Sequence, residues 1–375
     1  MARRYAVIGT GMMGQEHIRN ISLLDDAEVA AVVDTDAVMR AQGAQLAVDC
    51  GSSNVKTFAT FDELAQADAV DAYVVVTPND THARVMDRLL ATNKPVLLEK
   101  PAATTPQEAW AMVEMARARL APVWVGMEYR FMPAVARLID EVKNGTAGHP
   151  HMVSIVEHRF PFLDKVEFWN RSFDRTGGTM VEKCCHFFDL MRHLTGSEPT
   201  RLYASGAQSV NFVDDLKNPS HKPVVDNAFV IVDFENGMRA SLDLCMFAEG
   251  SWWQEQVSVT GDKAKLVASV PGPARFNPDA DPRHSHFGVY PRGGENRTEE
   301  ELAINQAVMN AGDHHGSTYF QHLAFADMIQ TQSRPAVSLD DGAMAVEMGA
   351  AAETAIAENR LVEISARPAM LKGAA

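Results

Sequence analysis

The chain has 375 residues, 46% of them apolar, which is more than one hydrophobic core usually serves, so two domains are expected. Its formal charge of −15 argues against nucleic acid and against an anionic membrane surface as partner, since both need a basic footprint. No apolar run reaches the roughly 18–20 residues of a membrane span. Met1–Tyr5 lacks the apolar core of a signal peptide, and Cys50, Cys184, Cys185 and Cys245 form neither a disulfide framework nor a zinc spacing. These features predict a cytoplasmic protein without a metal centre.

Tyr5–Ile8 is a buried-strand run. Gly9-Thr10-Gly11-Met12-Met13-Gly14 follows it, and Gln15–Leu24 has helical spacing. A GxGxxG between a strand and a helix turns tightly and lets the backbone approach a pyrophosphate at the helix N-terminus. The next strand, Glu28–Val33, ends in Asp34, placed to accept hydrogen bonds from ribose hydroxyls. That carboxylate repels a 2′-phosphate and no arginine follows directly, so NAD is expected rather than NADP. The competing reading is a glycine turn in some other α/β protein, with Asp34 as a helix N-cap.

Strand and helix patterns continue to alternate. Val55–Phe58 and Ala72–Val76 read as strands, the second ended by Thr77-Pro78-Asn79. Phe61–Gln66, Thr81–Ala91 and Pro106–Arg119 read as helices, and Val123–Gly126 as a further strand. Pro95–Pro101 is a short apolar strand that delivers Lys100 to its carboxyl end; ending such a strand in a solvated charge is also common. The alternation predicts a doubly wound parallel sheet over residues 1–126. Ligands bind outside the carboxyl ends of such strands, where Gly9, Asp34, Thr77–Asn79, Glu99-Lys100 and Glu128-Tyr129-Arg130 all fall.

From Met127 the pattern changes. A helix is predicted over Pro133–Lys143 and a strand over His151–Arg159. A helix over Met180–Leu194 precedes strands at Arg201–Ser209, Ala228–Phe234, Met238–Phe247 and Gln256–Thr260. Asn236-Gly237 is a hairpin signal, and alternation from Met238 to Met246 buries one face. An α+β domain on an antiparallel sheet is therefore expected over 127–375, with an irregular insertion over 271–316 and closing helices at Tyr319–Gln330 and Asp341–Glu358. In Gly177-Gly178-Thr179-Met180-Val181-Glu182-Lys183-Cys184-Cys185-His186, Glu182 and His186 stand one helical turn apart, with Asp189 and His193 further along that face. Histidine can exchange a proton with a hydroxyl near neutral pH. The plain alternative is a surface helix with ordinary charge pairs. His284, His286, His314 and His315 lack a third-ligand pattern, so no metal is predicted. Trp252-Trp253 suits sugar stacking and packing equally.

Gly9-x-Gly11-x-x-Gly14, Thr77-Pro78-Asn79-x-x-His82, Glu99-Lys100-Pro101, Tyr129-Arg130-Phe131 and the Gly177-Gly178…His186 stretch together resemble the glucose–fructose oxidoreductase/inositol dehydrogenase (Gfo/Idh/MocA) family over nearly the whole length. The resemblance implies a Rossmann domain, a second domain on an open, mostly antiparallel sheet, and homodimers or homotetramers built on that sheet. It implies hydride transfer between NAD and a secondary hydroxyl of a sugar or cyclitol. Gly9, Gly11, Met12, Met13, Gly14, Asp34, Thr77, Pro78, Asn79, His82, Glu99 and Lys100 would then hold the cofactor. Lys100 would hydrogen-bond the reacting hydroxyl and His186 would exchange its proton, with Tyr129 and Glu182 as further candidates. Family members often carry Asp where this chain has Glu182, and an apolar residue where it has Lys183. Together with Arg159, Arg171 or Arg175, Lys183 suggests a cationic pocket for a sugar bearing a carboxylate or sulfonate. Two alternatives stand beside this. One is an NAD-dependent glycosidase working by transient C3 oxidation, elimination, hydration and re-reduction, for example on sulfoquinovose glycosides. The other is a non-catalytic dinucleotide sensor.

Overall fold

Two patterns of apolar residues produce two kinds of sheet in a computed structural model of the chain, described over residues 2–217, 222–273, 276 and 283–364. Strands apolar on both faces form the first. They are β1 (Arg3–Ile8), β2 (Ala27–Val33), β3 (Lys56–Phe58), β4 (Ala72–Val75), β5 (Val96–Leu98) and β6 (Val123–Val125). All pair in parallel, in the order β3-β2-β1-β4-β5-β6. Such strands need helices on both sides. The helices are α1 (Met12–Ile21), α2 (Ala37–Asp49), α3 (Phe61–Ala67), α4 (His82–Leu90) and α5 (Pro106–Ala116). Asp36 caps α2, Thr60 caps α3 and Thr105 caps α5. The strand order reverses between β1 and β4, which opens a crevice beside Gly9 and Thr77. Gly9 has φ +94°, and a Cβ there would lie 2.6 Å from the Val76 carbonyl oxygen.

Strands that alternate form the second sheet. Helix α6 (Pro133–Lys143) leads into β7 (Pro150–His158), followed by three helical segments, α7 (Phe173–Thr176), α8 (Thr179–Glu182) and α9 (Cys185–Thr195). Then come β8 (Pro199–Ala207), β9 (Asn227–Phe234), β10 (Arg239–Cys245), β11 (Glu255–Gly261), β12 (Ala264–Val270), β13 (Ser285–Pro291) and β14 (Thr298–Leu302). With β15 (Val362–Glu363) they make nine strands in the order β14-β13-β12-β11-β7-β10-β9-β8-β15. Every pairing is antiparallel except β7 with β10, so the sheet is mixed. The hairpin at Asn236-Gly237 joins β9 to β10 as expected. On β9, Ala228, Val230 and Val232 are buried, whereas Phe229 and Ile231 are 67% and 55% exposed.

The chain then forms α10 (Gln306–Asn310), α11 (Ser317–Thr331) and α12 (Leu339–Glu358). Two compact units result. One comprises the chain up to Glu128 together with Asn305–Val346; the other comprises Tyr129–Ile304 and the chain from Glu347. The second domain expected over 127–375 therefore loses residues 305–346 to the first unit. Packing explains the difference: Phe325 of α11 lies against Tyr5 and Trp124, and the Val337 carbonyl accepts the Val125 N–H. Residues 271–316 are not an irregular insertion either, since they contain β13, β14 and α10. Their polar composition is that of a sheet edge, with Glu299, Glu300 and Glu301 exposed on β14. Residues 274, 275 and 277–282 of that stretch lie outside the described residues. Among the described residues no helix is long and apolar enough to cross a membrane.

Glu353 on α12 shows how the second unit holds its glycine turn. Its carboxylate accepts the Met180 N–H at 2.9 Å, and a Cβ on Gly178 would lie 2.2 Å from its Oε1. Burial pushes this carboxyl group up from 4.5 to about 7. Between those values the folded chain keeps a proton that the unfolded chain releases, so this group opposes folding increasingly as pH rises through the window. Glu353→Gln keeps the acceptor and removes the charge. It should stabilise by on the order of 2 kcal/mol at pH 8 and by little at pH 5. Denaturant unfolding at the two pH values measures this, and an equal effect at both would refute the assignment.

Candidate active site

The crevice of the first unit is built from backbone. Helix α1 begins at Met12 with its N–H groups at the glycine turn, and a Cβ on Gly11 would meet nothing within 4 Å. A Cβ on Gly14 would lie 2.1 Å from the Gly9 carbonyl oxygen, so the turn and the helix close tightly there. Met12 is exposed and Met13 half-buried beside this turn. Asp34 is not a helix cap; Asp36 takes that role through the Val38 and Met39 N–H groups. Asp34 instead accepts the Thr10 N–H at 2.8 Å, the Thr10 hydroxyl at 2.9 Å and the Asp36 N–H at 2.9 Å. An arginine does stand nearby: Arg40 Nη1 donates to the Asp34 carbonyl at 2.6 Å. Helix α2 brings it back from six residues further on in the chain.

Thr77, Pro78 and Asn79 follow β4 at the same edge. Asn79 is buried, and its Nδ2 has no hydrogen-bond partner among the described residues. An orphaned donor beside an open glycine turn fits a bound dinucleotide. His82 does not face that space. It is fully buried, with Nδ1 2.8 Å from the Pro101 carbonyl and Nε2 2.9 Å from the Thr77 carbonyl. Burial lowers its proton affinity, and a neutral ring donates to one of the two at a time. It ties the Thr77–Asn79 turn to the Lys100–Pro101 turn.

Glu99 is likewise a support. Its Oε1 is 3.1 Å from His17 Nε2, its Oε2 accepts the Lys100 N–H at 3.2 Å, and His17 Nδ1 is 2.8 Å from His322 Nε2. Burial works against ionising Glu99, yet the hydrogen bond and charge of His17 hold its carboxyl low. Burial drives His322 well below the ordinary histidine range. Lys100, half-buried after β5, therefore stands on a fixed backbone. No quoted motif includes His17 or His322; the one sequence signal is that His17 shares the apolar face of α1 with Gly14, Ile18 and Ile21.

A second polar cluster in this unit joins Glu16, Glu128 and His314, three groups whose metal-capable atoms lie within 4.8 Å of one another. His314 Nδ1 is 2.8 Å from Glu16 Oε1, and the Thr318 hydroxyl contacts Glu16 at 2.8 Å and Glu128 at 2.9 Å. One hydroxyl proton serves one carboxylate, so the other oxygen must bring its own. Against burial, His314 holds Glu16 down at about 2, whereas burial pushes Glu128 up.

In the second unit the helix expected over Met180–Leu194 is broken at Lys183 and Cys184, between α8 and α9. Glu182 and His186 thus do not share one continuous helical face, and α9 is a buried helix rather than a surface one. His186 is buried, its ring stacked on Tyr129 at 4.1 Å and 13°. Arg130 clamps the neighbouring backbone: Nε and Nη2 donate to the two oxygens of Asp189 at 2.6 and 2.5 Å. Glu182 lies 3.8 Å from Lys165 Nζ.

Lys183 is buried, donating to the Tyr129 hydroxyl at 2.5 Å and to Glu157 Oε1 at 2.8 Å. Tyr129 donates in turn to Glu255 Oε1 at 3.2 Å, and Arg159 donates to Glu157 at 3.3 Å. Glu157 and Glu255 sit opposite each other on β7 and β11. Burial, with Arg159 second, lowers the proton affinity of Lys183; burial and the facing Glu157 push Glu255 up to about 7. Each residue of the expected cationic pocket has a carboxylate beside it. Lys183 and Arg159 are matched by Glu157 and Glu255, Arg171 pairs with Asp164 and stacks on Phe212 at 3.7 Å, and Arg175 lies 3.7 Å from Glu167. Buried cations require such partners. Neither glutamate stands in a recognisable motif. Trp252 is exposed and meets Trp253 edge-on at 6.3 Å.

Two sequence profiles match the chain. Residues 3–127 match the oxidoreductase family's NAD-binding Rossmann fold, and residues 139–364 match its C-terminal alpha/beta domain, the two parts of Gfo/Idh/MocA proteins. Myo-inositol 2-dehydrogenase of Thermotoga maritima is 24% identical over 96% of this chain and 98% of its own length. The rhizopine catabolism protein MocA of Rhizobium meliloti is 30% identical over 52% of this chain and 58% of its own length. The crystal structure of a putative myo-inositol dehydrogenase from Sinorhizobium meliloti 1021 superposes with a TM-score of 0.77 at 23% identity, covering 97% of this chain and all of that one. The glycine turn, the fixed Glu99-Lys100 stretch, the two sheets and these matches have one explanation: the chain belongs to the Gfo/Idh/MocA family of oxidoreductases, with an NAD-binding Rossmann domain followed by that family's α/β domain.

Proposed function

We propose that the chain is an NAD-dependent dehydrogenase of a secondary hydroxyl on a neutral sugar or cyclitol. The observation that carries this reading is the fixing of the Lys100 backbone by Glu99 and His17 at the crevice edge. Bound NAD supplies the hydride acceptor. The glycine turn and the N-terminus of α1 hold the pyrophosphate, Asp34 takes a ribose hydroxyl and Asn79 Nδ2 supplies a donor. Lys100 donates to the reacting oxygen and steadies the negative charge that develops on it. His186 receives the hydroxyl proton, its ring orientation kept by Tyr129. The matching of Lys183 and Arg159 by Glu157 and Glu255 favours a neutral substrate over a carboxylated or sulfonated one.

One observation favours a second reading. The buried Lys183–Tyr129 pair beside His186 offers a further acid–base group, which elimination of an aglycone by a redox-neutral glycosidase would need. The two readings separate in one assay, with neutral, carboxylated and sulfonated sugars, cyclitols and aryl glycosides, following NADH absorbance and aglycone release together. Stoichiometric NADH with a neutral polyol is the expected result. Aglycone release at catalytic NAD without net NADH would replace it with the glycosidase, and preference for anionic sugars would restore the charged pocket.

A self-association surface completes the reading. Tyr203, Phe229, Ile231 and Met152 are exposed on one face of the second sheet, and a second copy of the chain is the occupant that the family resemblance implies.

Three outcomes are expected. Lys100→Ala and His186→Ala should each lower kcat by about 10²–10⁴-fold while NAD affinity changes only a few-fold; a loss confined to KM would contradict the roles assigned. Lys183→Met should destabilise the fold by about 3–5 kcal/mol, because it removes one of the two cations that balance buried Glu157 and Glu255, and Glu157→Gln added to it should recover much of that loss. Calorimetry of the two variants decides this, and absence of recovery would dissolve the cluster as an energetic unit. Ile231→Asp should yield a monomer in light scattering if the outer sheet face joins copies.

A further inference from the structure

Two acidic side chains face each other inside the second unit, each with one oxygen left over. Glu157 on β7 and Glu255 on β11 are direct partners across an antiparallel ladder, which puts their Cβ atoms about 4.5–5.5 Å apart on one face. The residues are 0% and 2% exposed, so water does not screen them from each other. Glu157 Oε1 accepts from Lys183 Nζ at 2.8 Å and from Arg159 Nη1 at 3.3 Å. Glu255 Oε1 accepts from the Tyr129 hydroxyl at 3.2 Å and from Gln254 Nε2 at 2.5 Å. Glu157 Oε2 and Glu255 Oε2 are both buried and have no hydrogen-bond partner among the described residues. A buried acceptor without a donor is costly, and one proton would serve both of these.

The other titratable groups close by are Glu182, which acts on Arg159, and Cys184 beside Glu157, whose thiol burial pushes well above its ordinary range. Neither gives a donor to the leftover oxygens. Burial and the charge of Glu157 push Glu255 up to about 7, so it holds a proton below that pH and releases it above. Glu255 Oε1 already accepts two bonds, so the proton belongs on Oε2.

We propose that Glu255, through a proton on Oε2 shared with Glu157 Oε2, is a positioning residue for His186. With that proton in place Lys183 is left to Tyr129 and to Glu157 Oε1, and the Tyr129 ring keeps its place on His186, 4.1 Å away and 13° from parallel. When the proton goes to solvent, two like charges face each other across the strands. Lys183 then turns from the Tyr129 hydroxyl toward Glu255. Tyr129 loses its donor, its ring loses its fixed tilt, and His186 is less well aimed at the substrate hydroxyl. The inference rests on the dehydrogenase reading, in which His186 receives the hydroxyl proton.

The test compares the full chain with Glu255→Gln, which fixes the neutral form, and with Glu157→Gln, which removes the facing charge. Thermal melting shows that each is folded. Two quantities are followed against pH. The first is the infrared C=O band of protonated carboxyl groups, which needs no substrate. The wild type should lose a band around pH 7 that Glu255→Gln lacks throughout; the difference between the two isolates it from Glu353, which ionises in the same range. Glu157→Gln should lose that band about one pH unit or more lower, because the like charge is gone. The second quantity is kcat with saturating NAD and the best polyol. The wild type should give a bell whose alkaline side falls about three- to tenfold as Glu255 ionises. Glu255→Gln should lack that fall, and Glu157→Gln should begin it at lower pH. If Glu255→Gln melts too early, Glu157→Gln decides, since a merely structural role would leave the pH of the fall in place. Carboxyl bands identical in wild type and Glu255→Gln would overturn the shared proton. An alkaline fall that neither substitution moves, or a wild type without one, would overturn the positioning role. No NADH from any polyol, with the bands behaving as stated, would overturn the dehydrogenase reading beneath it, a result distinct from the others.

Discussion

An ionised group inside a protein must be matched or neutralised, because desolvation costs more than packing returns. Both units are arranged around that constraint. In the first, His17 holds the Glu99 carboxyl low, while burial pushes Glu128 up beside Glu16 and His314. In the second, Glu157 and Glu255 face each other across two strands, and Lys183, Arg159 and Tyr129 tie them together. Each cluster lies directly beneath a residue assigned to chemistry: Lys100 follows Glu99, and His186 stacks on Tyr129. Electrostatic necessity and positioning of the site are served by the same contacts.

The division of labour between backbone and side chain differs between the units. The crevice proposed for the dinucleotide is made mainly of N–H groups, a glycine turn and a helix end, with Asp34 and Asn79 as its proposed side chains. The proposed substrate side is made of side chains on a sheet and a broken helix. There Arg130 grips Asp189, and the Tyr129 ring lies flat on His186. A change in Glu157 or Glu255 would therefore reach His186 through Lys183 and Tyr129 without touching it.

Legibility in the sequence followed the range of the interaction. The glycine turn, the alternation of β1 to β6 and the Asn236-Gly237 hairpin are local, and periodicity and turn chemistry reveal them. Lys100 and His186 stood out through short motifs. Glu157, Glu255 and His322 did not, because each stands in no motif and its meaning depends on a partner far along the chain. The same limit applies to the pocket expected for an acidic sugar. Lys183 and Arg159 were visible as cations, but the glutamates that balance them were not. Arg40 was hidden by helical geometry, and residues 305–346 by a return of the chain that local patterns do not encode.

That return has a bearing on how the protein is made. The first unit contains the beginning of the chain and also α10, α11 and the opening turns of α12. Its core, in which Phe325 meets Tyr5 and Trp124, cannot close until residue 346 has left the ribosome. The nine-stranded sheet is almost wholly synthesised before then. The stretch up to Glu128 must wait on the ribosome with its parallel sheet uncovered on that side, which makes it the portion most in need of protection from premature association during synthesis.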